Sequence, residues 1–268
     1  MKRSHFIFIV PALVVLVAFF VLPVVRLLPA SVSSEEGLAL YAQIVSNPRY
    51  ASSVVSTVLL SVFVTAASVA LGAFTGLFLE RTKFPGRSAV VSLITLPLSF
   101  PGVVVGFMII MLGGRNGMAA ILSSAMGAGK FVFAYGMAGL FAGYVYFSIP
   151  RVVTTVMAAA KKIDPVYEEA ARTLGAPSWR IMRDVTLPAL LPALVSTGAI
   201  CFATSMGAFG TAFTLATDIN VLPITIYTEF TLSANIASAA MLSVVLGVIT
   251  WVMLLAARRA SRLGTDPI

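Results

Sequence analysis

Two polar stretches of this 268-residue chain have residue types and spacings that invite a chemical reading. Gly127-Ala-Gly-Lys130 is a glycine-rich turn ending in lysine, as phosphate-binding loops are. It lacks the G-x-x-x-x-G-K-[ST] spacing that wraps backbone N–H groups around a phosphate, and Phe131 stands where Ser or Thr would hold a metal. It reads as an ordinary loop. Asp164-Pro-Val-Tyr-Glu-Glu-Ala-Ala-Arg-Thr-Leu-Gly175 is different. Asp164 can N-cap a helix, Pro165 suits its first position, Glu168 and Glu169 lie near the positive end of its dipole, and Gly175 supplies a stop. The pattern predicts a short independent helix. Glu168 and Arg172, four apart, should pair on its exposed side, with Val166, Ala170 and Leu174 as an apolar strip. The small Ala170 and Ala171 leave room for another surface to approach, so the chemistry on offer is docking.

A second short helix can begin at Pro177, with Trp179, Met182 and Val185 on one stripe opposite Arg180, Arg183 and Asp184, a pattern suited to a membrane interface. Val185-Thr-Leu187-Pro188 then opens a long apolar run. On local physics alone the whole segment also reads as a capped connector between two such runs.

The elements that must position these residues are membrane helices. With 59% hydrophobic and 10% charged residues, no soluble class fits. A span needs roughly 20 apolar residues, and six runs qualify, about Phe6–Leu28, Ser52–Leu79, Ser88–Leu112, Phe131–Val156, Leu187–Leu215 and Ala237–Ala257. The expected fold is all-α and polytopic, a single domain over residues 1–268. The first run follows Met1-Lys-Arg like a signal peptide, but it is too long for an h-region and no A-x-A site follows; it should persist as an anchor.

Loop charge sets the expected orientation. With a cytoplasmic N-terminus the inner side holds Lys2, Arg3, Arg81, Lys83, Arg87, Arg151, Lys161, Lys162, Arg172, Arg180, Arg183, Arg258, Arg259 and Arg262. Outside are Arg26, Arg49, Arg115 and Lys130, so the ratio is fourteen to four and both termini lie inside. The net charge of +8 is then topology, and nucleic acid is not a partner. Gly72/Gly76, Gly102/Gly106 and Gly139/Gly143 are spaced to let helices approach closely, which fits packing within the chain.

Other chemistries are missing. The span interiors lack Asp, Glu, Lys and His, which disfavours a self-contained ion-coupled carrier. The one histidine, His5, lies at the N-terminal boundary, and the one cysteine, Cys201, lies inside an apolar run. Ser-His, His-metal and disulfide frameworks are therefore excluded, and a membrane enzyme is disfavoured. Work against a gradient would need a nucleotide bound by another chain.

Glu169-Ala-Ala-x3-Gly175-x9-Val185-x-Leu187-Pro188 resembles the EAA loop, E-A-A-x3-G-x9-I-x-L-P, of permease subunits of binding-protein-dependent type I ABC importers. Val185 in place of Ile is the single departure and keeps a β-branched apolar side chain. The resemblance implies the type I (MetI-like) fold, with a coupling loop over about residues 157–186 seated in a groove of a cytoplasmic ATPase dimer. The coupling residues would be Glu168, Glu169, Ala170, Ala171, Arg172, Gly175, Leu187 and Pro188. It further implies a second permease subunit, identical or related, an extracytoplasmic substrate-binding protein, and a bacterial or archaeal cytoplasmic (inner) membrane. No cofactor would be bound by this chain, ATP and Mg being held by the ATPase, and no reaction would be catalysed by it.

Candidate residues for the gate or path are Phe100 and Pro101, in a proline-broken stretch of the third span, and Ser205, Met206 and Phe209, in a small and polar stretch late in the fifth. The chain looks most similar to permeases of the polyamine, 2-aminoethylphosphonate, ferric-iron and sulfate or molybdate branch. Phe202–Arg259 leans toward the polyamine and aminophosphonate members.

Overall fold

The computed structural model describes residues 4–35, 37–215 and 219–263; Lys2 and Arg3, counted above, lie outside them. Among the described residues every regular element is helical. Helix α1 (Ser4–Leu16) passes through a wider turn at Val17–Val21 into α2 (Leu22–Ala30), and α3 (Gln43–Ser46) leads to the long α4 (Pro48–Arg81). Then come α5 (Arg87–Thr95), α6 (Gly102–Gly113), α7 (Met118–Ala125), α8 (Met137–Ala160), α9 (Pro165–Thr173) and α10 (Ser178–Ile181). The chain closes with α11 (Leu187–Met206), α12 (Phe209–Leu215), α13 (Leu222–Thr231) and α14 (Ile236–Leu263). Six helical stretches are long and apolar enough to cross a membrane: Ile9–Ala30, Pro48–Arg81, Gly102–Ala125, Met137–Ala160, Ser178–Met206 and Ile236–Ser261.

Prolines explain two irregularities. Pro23 and Pro188 are each the second residue after a wider turn, Val17–Val21 and Met182–Thr186. The widening relieves the clash between the ring and the carbonyl four residues back, so the helix continues instead of stopping. Leu187-Pro188 therefore does not open a new helix; α10 and α11 form one rod.

In lipid, apolar side chains gain little from leaving the solvent, and close packing does the holding. The α4–α8 contact illustrates it. A Cβ on Gly72 would stand 2.6 Å from Val152 Cβ, and one on Gly76 2.8 Å from the Val153 carbonyl, so only glycine lets the two backbones meet. Gly106 serves α6 against Thr214 of α12 in the same way. Where α4, α6, α8 and α12 converge, Val64, Ile109, Leu140, Tyr144 and Leu215 are buried together. The first span has no buried residue and touches the body through α2 against α14.

The break expected in the third span is present, and the bounds of the fourth and fifth need correction. The third is split: α5 and α6 flank a 3₁₀ turn, Leu96–Ser99, with extended Phe100 and Pro101, because Pro97 and Pro101 cannot continue the ladder. The fourth starts at Met137 rather than Phe131, since the Phe133 and Ala134 N–H groups donate to the Gly113 carbonyl instead of entering the helix. The fifth stops at Met206 and restarts at Phe209, so Leu215 ends a separate segment. Helix α13, too short for a span, packs between α4 and α14.

Candidate functional site

Charge gathers at one end of the bundle, called here the basic end, where α4 stops, α8 stops and α9 lies. Helix α9 forms where local signals place it. The Asp164 side chain accepts from Val166 N–H at 3.0 Å, and Pro165 takes the first position. At the other end the Gly175 N–H donates to the Arg172 carbonyl at 2.9 Å and the Ala176 N–H to the Ala171 carbonyl at 3.0 Å. That double closure requires the left-handed backbone seen at Gly175, φ +77°.

The orientation of α9 differs from the amphipathic reading. Glu168 is 7% exposed, turned into the protein rather than toward solvent. It accepts from the Arg81 guanidinium at the end of α4 and from the Thr186 hydroxyl at 2.9 Å, while Arg172 stands off at 3.8 Å. Arg81 also reaches Thr186, at 3.3 Å, which closes a three-membered cluster tying α9 to α4 and to the foot of α11. The apolar strip points outward, Val166 60% and Leu174 88% exposed, with Glu169, Ala170 and Arg172 also open. Ala171 is half-buried. A soluble surface helix buries its apolar face; this one exposes it and buries one of its two glutamates, an arrangement suited to a docking face. Trp179 and Met182 are likewise exposed, and Leu187 and Pro188 are open on the α11 surface. Arg87 ties off the neighbouring turn, donating to the Leu79 carbonyl at 2.5 Å and to Glu80 at 2.7 Å.

The second region lies farther into the bundle, where two helix breaks meet. The α5/α6 break at Pro97–Pro101 abuts the α11/α12 break at Gly207–Ala208, since Gly102 touches Thr211 and Gly210 touches Val103. Backbone groups freed inside a membrane must find partners. The Tyr144 hydroxyl donates to the Ala208 carbonyl at 2.5 Å, and the Thr211 hydroxyl to the Gly102 carbonyl at 2.9 Å. Between the breaks opens a cavity of about 410 Å³, walled by Gly102, Val103, Tyr144, Phe147, Ser205 and Thr211 among others. Broken helices around a polar-edged cavity are the form that transporters give to solute sites.

Of the path candidates, Ser205 is in that wall, and Phe100 and Pro101 shape it by making the break. Met206 is fully buried in helix packing. Phe209 joins Phe213 and Tyr227 in an aromatic trio, centroids 5.2 and 5.4 Å from its ring, beside a separate cavity lined by Gly207 and Pro223.

Sequence reasoning missed Tyr144 and Thr211, whose partners are remote, and Phe147, and it misplaced Arg151. Counted as a loop residue, Arg151 lies in the body of α8, nine residues before its end at Ala160, roughly 14 Å along the axis. A guanidinium there costs about 2.5–3.5 kcal/mol on insertion scales, so it needs a reason. The signal was available, as an arginine inside a run already assigned as a span.

Fold and sites together define a membrane transport subunit, and the comparisons say which kind. The chain belongs to the binding-protein-dependent transport system inner membrane components, the permease subunits of ABC importers, with residues 68–263 carrying the match. Among its relatives, the molybdenum transport system permease protein ModB of Escherichia coli is 30% identical over 74% of this chain and 88% of its own length. The sulfate transport system permease protein CysT of the same organism is 36% identical, covering 68% and 64%. The putative 2-aminoethylphosphonate permease PhnU of Salmonella typhi is 28% identical, covering 80% and 75%. In fold, the chain superposes on a subunit of a bacterial ABC transporter importing alginate with TM-score 0.85 at 18% identity, covering 98% and 96%. It superposes on a chain of the MetNI methionine transporter with TM-score 0.61 at 20% identity, covering 80% and 95%.

Proposed function

We propose that this permease converts ATP hydrolysis by a separate ATPase into solute import, with α9 as the coupling helix and the cavity between the broken helices as part of the path. One observation carries the reading: α9 exposes its apolar strip while its buried glutamate is bonded to the ends of two spanning helices. Force applied to the exposed face is thereby delivered to α4 and α11. The chain itself binds neither ATP nor Mg and catalyses no reaction; those belong to an ATPase dimer. A second permease copy or relative completes the path, and an extracytoplasmic binding protein supplies it. The basic end faces the cytoplasm, as do both termini. Without Arg151 the charge count becomes thirteen to four (14 − 1 = 13), which supports the same orientation. For the solute, sequence resemblance leans to a polyamine or 2-aminoethylphosphonate, with ferric iron or an oxyanion such as sulfate or molybdate as the alternative. The names of the relatives above favour the oxyanion and aminophosphonate members.

The test uses Gly175→Arg and Glu169→Lys in the assembled importer. A Cβ at Gly175 meets no atom within 4 Å, so Arg there imposes only backbone strain, about 1–2 kcal/mol, together with a cation on the docking face. Glu169→Lys reverses charge at an exposed position. Both variants should reach the membrane in normal amount, lose ATPase on purification, and lose hydrolysis stimulated by the binding protein. Normal transport by both would show that α9 is only a connector.

A further inference from the structure

The solutes left open by resemblance differ in the sign of their charge: polyamines are cations, whereas phosphonates, sulfate and molybdate carry negative oxygens. We propose that Arg151 is the charge-selecting residue of the translocation path and that the solute carried is a small oxyanion. This rests on the importer reading above and adds the substrate class to it.

Phe147, Arg151 and Thr155 follow at four-residue intervals, so they lie along one face of α8. Phe147 is in the wall of the cavity between the helix breaks. Thr155 is in the wall of a larger cavity, about 940 Å³, nearer the basic end. Arg151 stands between them, and its guanidinium carbon is 5.9 Å from the Phe147 ring centroid, leaning toward the upper cavity and away from the nearer helix end. A structural arginine in a membrane is paired with a carboxylate or snorkels to the interface. Arg151 does neither. The ion pairs among the described residues use Arg49, Arg81, Arg87, Arg172 and Arg183, and none uses Arg151. On α11 it is faced by the neutral Cys201.

The remaining charges along this track sit in the lower cavity: Lys162, Asp164 and Asp184. Asp164 is held by the α9 cap at 3.0 Å, and Asp184 lies 3.6 Å from Arg183. Asp164 keeps its charge while capping α9, so Lys162 and Asp164 offset one another in the lower cavity and Arg151 alone carries the charge selection. Rings and points of Arg and Lys select anions in pores, and the planar fork of Arg matches the paired oxygens of an oxyanion. The same cation, with no carboxylate partner among the described residues, repels a polyamine, so one residue both attracts the right solute and rejects the wrong one.

The experiment reconstitutes the whole importer, with its ATPase and binding protein, in proteoliposomes. Uptake of radiolabelled sulfate, molybdate and 2-aminoethylphosphonate is compared with that of putrescine and spermidine. At least one anion should be carried and neither amine. Arg151→Glu should cut anion uptake at least about tenfold, the lower end of what charge focusing in a cleft contributes. Arg151→Lys should restore most of it, and Arg151→Gln should weaken its dependence on ionic strength. Those two variants decide the matter if Arg151→Glu assembles poorly. Uptake by Arg151→Gln equal to wild type at every salt concentration overturns the proposal, as does transport of an amine. An importer that hydrolyses ATP on demand of its binding protein yet carries none of the anions overturns this inference alone. One in which ATP drives no uptake of any solute sinks the importer reading as well.

Discussion

Helix α4 has an arginine near each end, and each meets a buried glutamate from another helix, yet the two pairs are built differently. At the basic end Arg81 and Thr186 both donate to Glu168, while Arg172 stands near, so the carboxylate is enclosed by donors from three elements. At the far end Arg49, 44% exposed, reaches Glu229 of α13 at 3.2 Å. The arginines are 32 residues apart (81 − 49), roughly 48 Å of helix. Between them Gly72 and Gly76 press α4 onto α8. Both glutamates are buried to a similar depth, so the difference lies in their donors: Glu229 meets Arg49 and the neighbouring Tyr50, both on α4, whereas Glu168 is held by groups from three elements, which fixes geometry more tightly. The tighter joint is attached to α9, so under the coupling role proposed above the stiff joint is placed where force would enter and the looser one where α13 is held.

Four substitutions break or sharpen that contrast. The largest effect should come from Gly72→Val, which puts side-chain atoms into Val152 and separates α4 from α8. Overpacking of this kind costs about 1–3 kcal/mol or more, and membrane abundance by immunoblot should fall sharply. Glu168→Ala comes next. It strands Arg81 and Thr186, costing about 1–3 kcal/mol less an allowance for the 35% exposure of the Arg81 side chain, and uptake should fail while protein remains in the membrane. Abundant Glu168→Ala protein with normal uptake would show that the stiff joint transmits nothing. Glu229→Gln keeps an amide oxygen to accept from Arg49 and loses only the charge opposite an arginine that is 44% exposed, so it should cost about 1 kcal/mol and leave uptake within a few fold. If its loss equals that of Glu168→Ala, the two joints are equivalent and the contrast is wrong. Asp164→Ala removes one cap, about 0.5–2 kcal/mol of local helix stability. It should show as faster amide exchange confined to α9, with uptake reduced least of the four.

How much was legible follows the range of the interactions. Helix α9 was readable from Asp164 to Gly175 because caps and stops bond within a few residues. The Pro97–Pro101 break was readable because proline acts on its own helix. The burial of Glu168 was not, since Arg81 is 87 residues away and a four-residue spacing to Arg172 offered a nearer partner. Nor was the interruption at Gly207, where the small and polar stretch holds no proline to stop the helix and the break is held through Tyr144, 64 residues distant in sequence. Helix α13 fell below span length, so a search for spans passed over it.

The outward strip of α9 has one more consequence, for biogenesis. If α9 has the coupling role proposed above, Val166, Tyr167 and Leu174 stand in water beside the bilayer until an ATPase covers them, more than half of each exposed. An uncapped hydrophobic patch of this kind is what chaperones and membrane proteases bind. A permease made in excess over its ATPase therefore advertises its own orphan state, and subunit stoichiometry can be corrected by turnover without any dedicated degradation signal.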